Sequence, residues 1–208
     1  MRMEDVTLYG RHVRLEPLQH EHAEGLVAAA CADPSLYQLS PVPRNSEEAK
    51  KYIDTALAWQ EAGTALPFAI VRLADNAIIG SSRFWNIERW PWPAGHALHK
   101  RLTPNVCEIG YTWFTSSAIR TAANTESKLL MLAHAFEAWN VLRVCLHADE
   151  RNQRSRAAIE RIGGKFEGIL RAHRMATDLV PRNSARYSIT VEEWPGVKNR
   201  LLDRLNRP

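Results

Sequence analysis

The stretch ESKLLMLAHAFEAWN, residues 126–140, sets Leu129, Leu132, Ala133, Phe136 and Trp139 on one stripe at helical spacing. A helix with such a stripe must lie against another element, so the chain has to supply a surface that covers it. The flanking segments supply it. VCEIGYTWF (106–114) and LRVCLHAD (142–149) are rich in β-branched and aromatic residues and read as strands. Between the first of these strands and the helix lies the polar loop IRTAANT. Asn124 or Thr125 is the predicted helix cap, which leaves several N–H groups in Thr121 to Glu126 without intrahelical partners. A strand, a loop and a helix N-terminus in that order can hold a phosphate through backbone donors and the helix dipole, and Arg120 adds a full charge. An ordinary capped connection is the commoner alternative.

The rest of the chain gives one strand-and-helix series. From Val6, VTLYGRHVRLEPL reads as a hairpin-like first strand turning at Gly10-Arg11. Helices are predicted over 20–32 and 45–63, the second with Ser46 as N-cap, early acids at Glu47 and Glu48, and Gly63 as its stop. Strands follow at 66–73 and 77–85, joined by the turn Ala74-Asp75-Asn76. The segment 86–105 carries Pro91, Pro93, Gly95 and Pro104 and reads as a long loop. Beyond strand 142–149, RNQRSRAAIERIGG (151–164) is a helix closed by Gly163 and Gly164. Two strands, KFEGILRAHRM and RNSARYSITVEEW, then precede a last helix from Pro195. This order implies a single α+β or α/β domain over residues 1–208, with helices packed on one sheet.

Composition excludes several classes. With 45% hydrophobic and 24% charged residues, the chain matches ordinary globular proteins and not disordered or membrane-spanning ones. Cys31, Cys107 and Cys145 form no CxxC pair, which argues against a disulfide framework or a cysteine zinc site. No apolar run of signal-peptide length follows the N-terminus, so a cytoplasmic location is expected and no membrane partner. The net charge of +4, from 27 basic and 23 acidic residues, suits an anionic ligand such as a coenzyme polyphosphate. No recognition helix or aromatic RNA-binding signature accompanies it, so nucleic acid is not an expected partner. His147 and His173 stand alone in their strands and no metal is expected.

Taken together, EIGYTW, the loop RTAANTE, ADERNQRSRAAIERIGG and the ending RYSI followed by EWP are similar to the GNAT superfamily of N-acetyltransferases, and within it to the ribosomal-protein (RimJ/RimL-like) N-terminal acetyltransferases. The resemblance covers most of the chain. It implies a GNAT fold: a central mixed, mostly antiparallel sheet flanked by helices and splayed between the fourth and fifth main strands. It also implies acetyl-CoA as cosubstrate. The family's pyrophosphate loop, Q/R-x-x-G-x-G/A, falls on Ile119, Arg120, Thr121, Ala122, Ala123 and Asn124, with neither glycine present. If Ala122 needs a positive φ, its strain is about 1 kcal/mol, less than several charge-assisted contacts return.

The resemblance assigns further roles. Backbone groups of Trp113, Phe114 and Thr115 would pair with the pantetheine arm, and Thr125 would belong to the pyrophosphate site. Asn152 would hold the pantetheine and Ser155 would protonate the departing thiolate; the structural alternatives are a helix cap and a packing residue. A protonated lysine-like amine costs about 4–5 kcal/mol to deprotonate at neutral pH, an α-amine about 1. Glu108 is the candidate base for that proton, with a simple strand ion pair as its alternative. The acceptor is an amine on a protein N-terminus or a small molecule, and the loop 86–105 is a candidate selectivity element. A non-catalytic acyl-CoA-binding regulator is the rival class. A homodimer is compatible with Tyr187, Trp194 and Leu201 as contacts, as is closure of the monomer core by the same residues.

Overall fold

The hairpin read at Gly10-Arg11 forms, and one side chain far along the chain fixes it. In the computed structural model, which describes residues 2–206, β1 (Leu8–Tyr9) pairs antiparallel with β2 (Val13–Pro17). The carboxylate of Glu126 accepts from the backbone N–H groups of Arg11, His12 and Val13 at 2.7–2.8 Å. Gly10 leaves room for it, since a Cβ there would stand 2.5 Å from that carboxyl group.

After a short 3-10 turn come α1 (Ala23–Cys31) and α2 (Ser46–Glu61). The cap of α2 is Asn45 and not Ser46: the Asn45 side chain accepts from the Glu48 N–H at 2.9 Å, and Ser46 already belongs to the first turn. Then follow β3 (Leu66–Arg72), β4 (Ile78–Glu88), β5 (Val106–Phe114) and α3 (Ala122–Ala133), which a π-helical turn, His134–Ala138, continues. The chain ends with β6 (Arg143–Asp149), α4 (Gln153–Arg161), β7 (Lys165–Met175), β8 (Pro181–Thr190) and α5 (Trp194–Leu205). Trp194 therefore opens the last helix and does not close the last strand. β4 runs three residues beyond the predicted Trp85, through a bulge at Asn86 (φ 47°), and so shortens the long loop at its start.

The eight strands form one sheet in the order β1-β2-β3-β4-β5-β6-β8-β7. Every pairing is antiparallel except β5 with β6, which is parallel. One core cluster joins Leu26, Ala29 and Ile53 of α1 and α2 to Ala69 and Trp113 of the sheet. The other joins Leu129, Met131 and Leu132 of α3 and Val197 and Leu201 of α5 to Phe84, Ile109, Val144 and Ile189. The apolar stripe thus finds its surface, and each large side chain fully buried there contributes about 1.5–3 kcal/mol. Tyr187, Trp194 and Leu201 are buried in this second cluster, so they close the monomer and offer no dimer contact. Among the described residues no helix is long and apolar enough to cross a membrane.

Candidate active site

The parallel pair β5 and β6 is joined only from Val106↔Arg143 to Glu108↔Cys145, after which the strands part. Because both run the same way, their far ends lie at one end of the sheet and their fork lies in the middle. Trp113 to Thr115, the loop before α3, and Asn152 and Ser155 at the start of α4 all follow those far ends. Glu108 stands at the fork itself. The predicted coenzyme residues are thus gathered at one end, and the predicted base is set apart from them.

At the end predicted for the coenzyme the available polar groups are mostly main chain. Beyond Glu108 the β6 side of β5 has no strand partner, while its other side pairs Trp113 with Ser81 and Phe114 with Gly80. That pairing is close: a Cβ on Gly80 would lie 2.1 Å from the Trp113 carbonyl oxygen. The Phe114 carbonyl accepts from the Tyr37 hydroxyl at 2.8 Å. Helix α3 starts earlier than the sequence predicts. Its cap is Thr121, not Asn124 or Thr125, and the Thr121 hydroxyl accepts from the Ala123 N–H at 3.2 Å and donates to the Ala118 carbonyl at 2.7 Å. Ala122 and Ala123 are strong helix formers, which favours the earlier start. The left-handed residue of the loop is Arg120 (φ 63°), and Ala122 is the first residue of the helix. The anticipated strain at Ala122 is therefore absent. Arg120 is exposed beside the unpaired N–H groups of the first turn. Asn152 caps α4, its Oδ1 accepting from the Ser155 N–H at 3.0 Å.

At the fork the chemistry is side chain. Two bulges bracket Glu108, one at Asn86 in β4 and one in β5, where the register passes from Arg83↔Gly110 to Ser81↔Trp113. The second leaves Tyr111 at φ 52°, a conformation that costs of order 1–3 kcal/mol unless its surroundings hold it. They do: the Tyr111 ring packs on Trp59 and Trp85 at 5.6 and 5.5 Å, and the Arg83 guanidinium lies 4.3 Å from its centre. Glu108 is 3% exposed. Arg174 Nη2 donates to its Oε2 at 3.2 Å, and His147 Nδ1 lies 2.9 Å from its Oε1. Burial alone would raise the Glu108 carboxyl, but the contacts with His147 and Arg174 outweigh it and hold the group below the ordinary carboxylate value. These residues, with Glu88, His173 and Arg186, line a cavity of about 130 Å³.

His147 and His173 are not isolated in space, because β6 and β7 bring their rings to 5.2 Å. Among the described residues no cluster of three or more His, Cys, Asp or Glu is arranged to hold a metal ion. Three other residues escaped the sequence. Arg83 is 1% exposed and stacked among Tyr52, Trp59 and Tyr111. Arg174 caps Glu108 from β7, 66 residues away. Lys128, 6% exposed, donates to the Thr112 hydroxyl at 2.6 Å, and burial lowers its pKa to about 7. Only Lys128 left a trace in the sequence, as a charge within an apolar helix. The loop 89–105 is tied down by Arg101, whose Nη2 donates to the carbonyls of Trp139 and Asn140 at 2.6 Å each.

Residues 12–165 match the family model of the acetyltransferase (GNAT) domain. Among solved structures, a candidate acetyltransferase from T. thermophilus is 33% identical with a TM-score of 0.78, over 99% of this chain and 100% of that one. A GCN5-related N-acetyltransferase from Brucella melitensis is 26% identical with a TM-score of 0.80, over 98% and 86%. Mycobacterium smegmatis RimJ in complex with CoA-disulfide is 22% identical with a TM-score of 0.76, over 96% and 93%, a likeness of fold. A comparison with curated proteins found no significant match.

Proposed function

The chain belongs to the GNAT acetyltransferase family and is an acetyl-CoA-dependent acyltransferase; on that premise we propose that it acetylates a primary amine whose unhindered end enters the cavity at Glu108. The observation that carries this reading is the buried carboxylate at the fork of β5 and β6, facing a cavity just large enough for a few heavy atoms. A protein N-terminus or a small-molecule amine meets that requirement.

Acetyl-CoA supplies an acetyl group already activated as a thioester. The chain's part is to hold the coenzyme at one end and prepare the amine at the other. Backbone donors of the loop and first turn of α3, from Arg120 through Thr121, Ala122, Ala123, Asn124 and Thr125, receive the pyrophosphate. Their fit rests on the unpaired helix N–H groups and the outward Arg120. The open edge of β5 at Trp113, Phe114 and Thr115 receives the pantetheine as an added strand would. Asn152 borders it, and the Ser155 hydroxyl is the proton donor on the thiol side. On the acceptor side the Glu108 carboxylate attracts the incoming ammonium, and its proton leaves through this cavity.

The test is an acceptor screen that follows CoA release and product mass for N-terminal tetrapeptides against polyamines and amino acids. The reading expects acetylation of a primary amine and none of the matched secondary amine. Acetyl-CoA binding without transfer to any amine would contradict it.

A further inference from the structure

The His147 side chain is more than nine-tenths buried, and while its Nδ1 faces the Glu108 carboxylate, its Nε2 has no hydrogen-bond partner among the described residues. A buried imidazole left in that state loses about 1–3 kcal/mol per unpaired polar group, so its retention calls for a use. Its ring lines the cavity, its Nδ1 stands 2.9 Å from Glu108 Oε1, and Nε2 is the nitrogen left for a ligand. The charged and titratable groups around it are Glu108 and Cys107 from β5, Cys145 on its own strand, Arg186 directly across on β8, His173 and Arg174 from β7, and Glu88 from β4.

Glu108 is poorly suited to keep a proton. Arg174 occupies its other oxygen and holds the carboxylate in its charged form. A carboxylate that is fixed as an anion beside an imidazole orients the ring and stabilises the imidazolium, as in other carboxylate–histidine pairs. We infer that His147 is the proton acceptor for the incoming amine, with Glu108 as the positioning residue that holds its Nδ1–H. The inference rests on the amine-acetylation reading. The step is a single proton transfer: an N–H bond of the ammonium breaks, an N–H bond forms at Nε2, and the positive charge moves from the amine to the imidazole. Water later takes the proton from the imidazolium. His173 is the control, because its ring lies 5.2 Å from His147 and lacks a carboxylate at contact distance.

Two readouts test this on the full-length protein. The first needs no acceptor: NMR titration of the ¹³C-labelled histidine rings, assigned with His147→Gln. Glu108→Gln is expected to lower the His147 midpoint by at least half a pH unit, and an unmoved midpoint would overturn the pairing. The second is the pH profile of kcat/KM with whichever amine the wild-type protein acetylates. His147→Gln should lose 100-fold or more and its acidic limb, while Glu108→Gln keeps a limb displaced to lower pH and His173→Gln keeps an acidic limb whatever its loss of rate. A limb that survives in His147→Gln and vanishes in Glu108→Gln would give the proton to the carboxylate. Failure of the amine-acetylation reading would show instead as wild-type protein that binds acetyl-CoA and acetylates nothing, whatever the NMR result.

Discussion

The two ends of the site are built from different material. Where we propose that the coenzyme is received, the donors are backbone groups on an open strand edge and a helix N-terminus. Where we propose that the amine is received, the groups are side chains from β4, β5, β6, β7 and β8, with Glu108 and His147 buried beneath the more open Glu88, Arg174 and Arg186. A main-chain site depends on the path of the backbone and tolerates varied side chains. A buried charge such as Glu108 depends on its partners, because removing them strands it.

That contrast is open to direct attack. The largest effect is expected at Glu108: Glu108→Ala should reduce kcat by about 10³-fold, because His147 loses the carboxylate that positions it and the amine loses the charge that attracts it, with little change in acetyl-CoA affinity. Steady-state kinetics beside calorimetry checks it. Next comes Glu126, which ties α3 to the first hairpin through three N–H groups. Glu126→Ala should cost about 3 kcal/mol in urea unfolding while kcat at low temperature is retained.

Lys128 gives a smaller effect with a pH signature. Its folded pKa of about 7 lies below the ordinary lysine value of 10.5. Between those values the unfolded chain binds a proton that the folded chain lacks, so stability rises with pH across that window and levels off outside it. Lys128→Met should remove the rise and stabilise the protein at pH 7 by about 1–3 kcal/mol, because the Ser82 and Thr112 hydroxyls still pair at 2.7 Å. Melting temperatures at pH 6, 7, 8 and 9 read it out. Thr121→Ala loses a helix cap, costing about 1 kcal/mol in stability and weakening acetyl-CoA several-fold in calorimetry. The smallest effect is at Ala122. Since Ala122 is helical and unstrained, Ala122→Gly should leave acetyl-CoA affinity within about threefold, and a tenfold gain would show that this position is strained when the coenzyme binds.

How much the sequence revealed follows the same division. Periodic segments were legible: β7 spans the predicted residues 165–175, and the strand 106–114 and the helix after it are where apolar spacing puts them. Helix starts were less so, since Asn45 competes with Ser46, and Thr121 with Asn124 and Thr125, as caps of similar chemistry. Glu108, Asn152 and Ser155 could be singled out because they sit in local motifs. His147, His173, Arg174 and Arg83 could not. Their roles come from strand order, from the crossing that sets β8 between β6 and β7, and from two bulges that no propensity announces.

The most direct test of the whole account compares binding and turnover in one variant. Glu108→Gln protein, titrated with acetyl-CoA by calorimetry and assayed with the best amine from the screen, should bind the coenzyme within about twofold of wild type and lose at least 100-fold in kcat/KM. Loss of coenzyme binding in parallel with turnover would contradict the account, because the two ends would then be one site and not two.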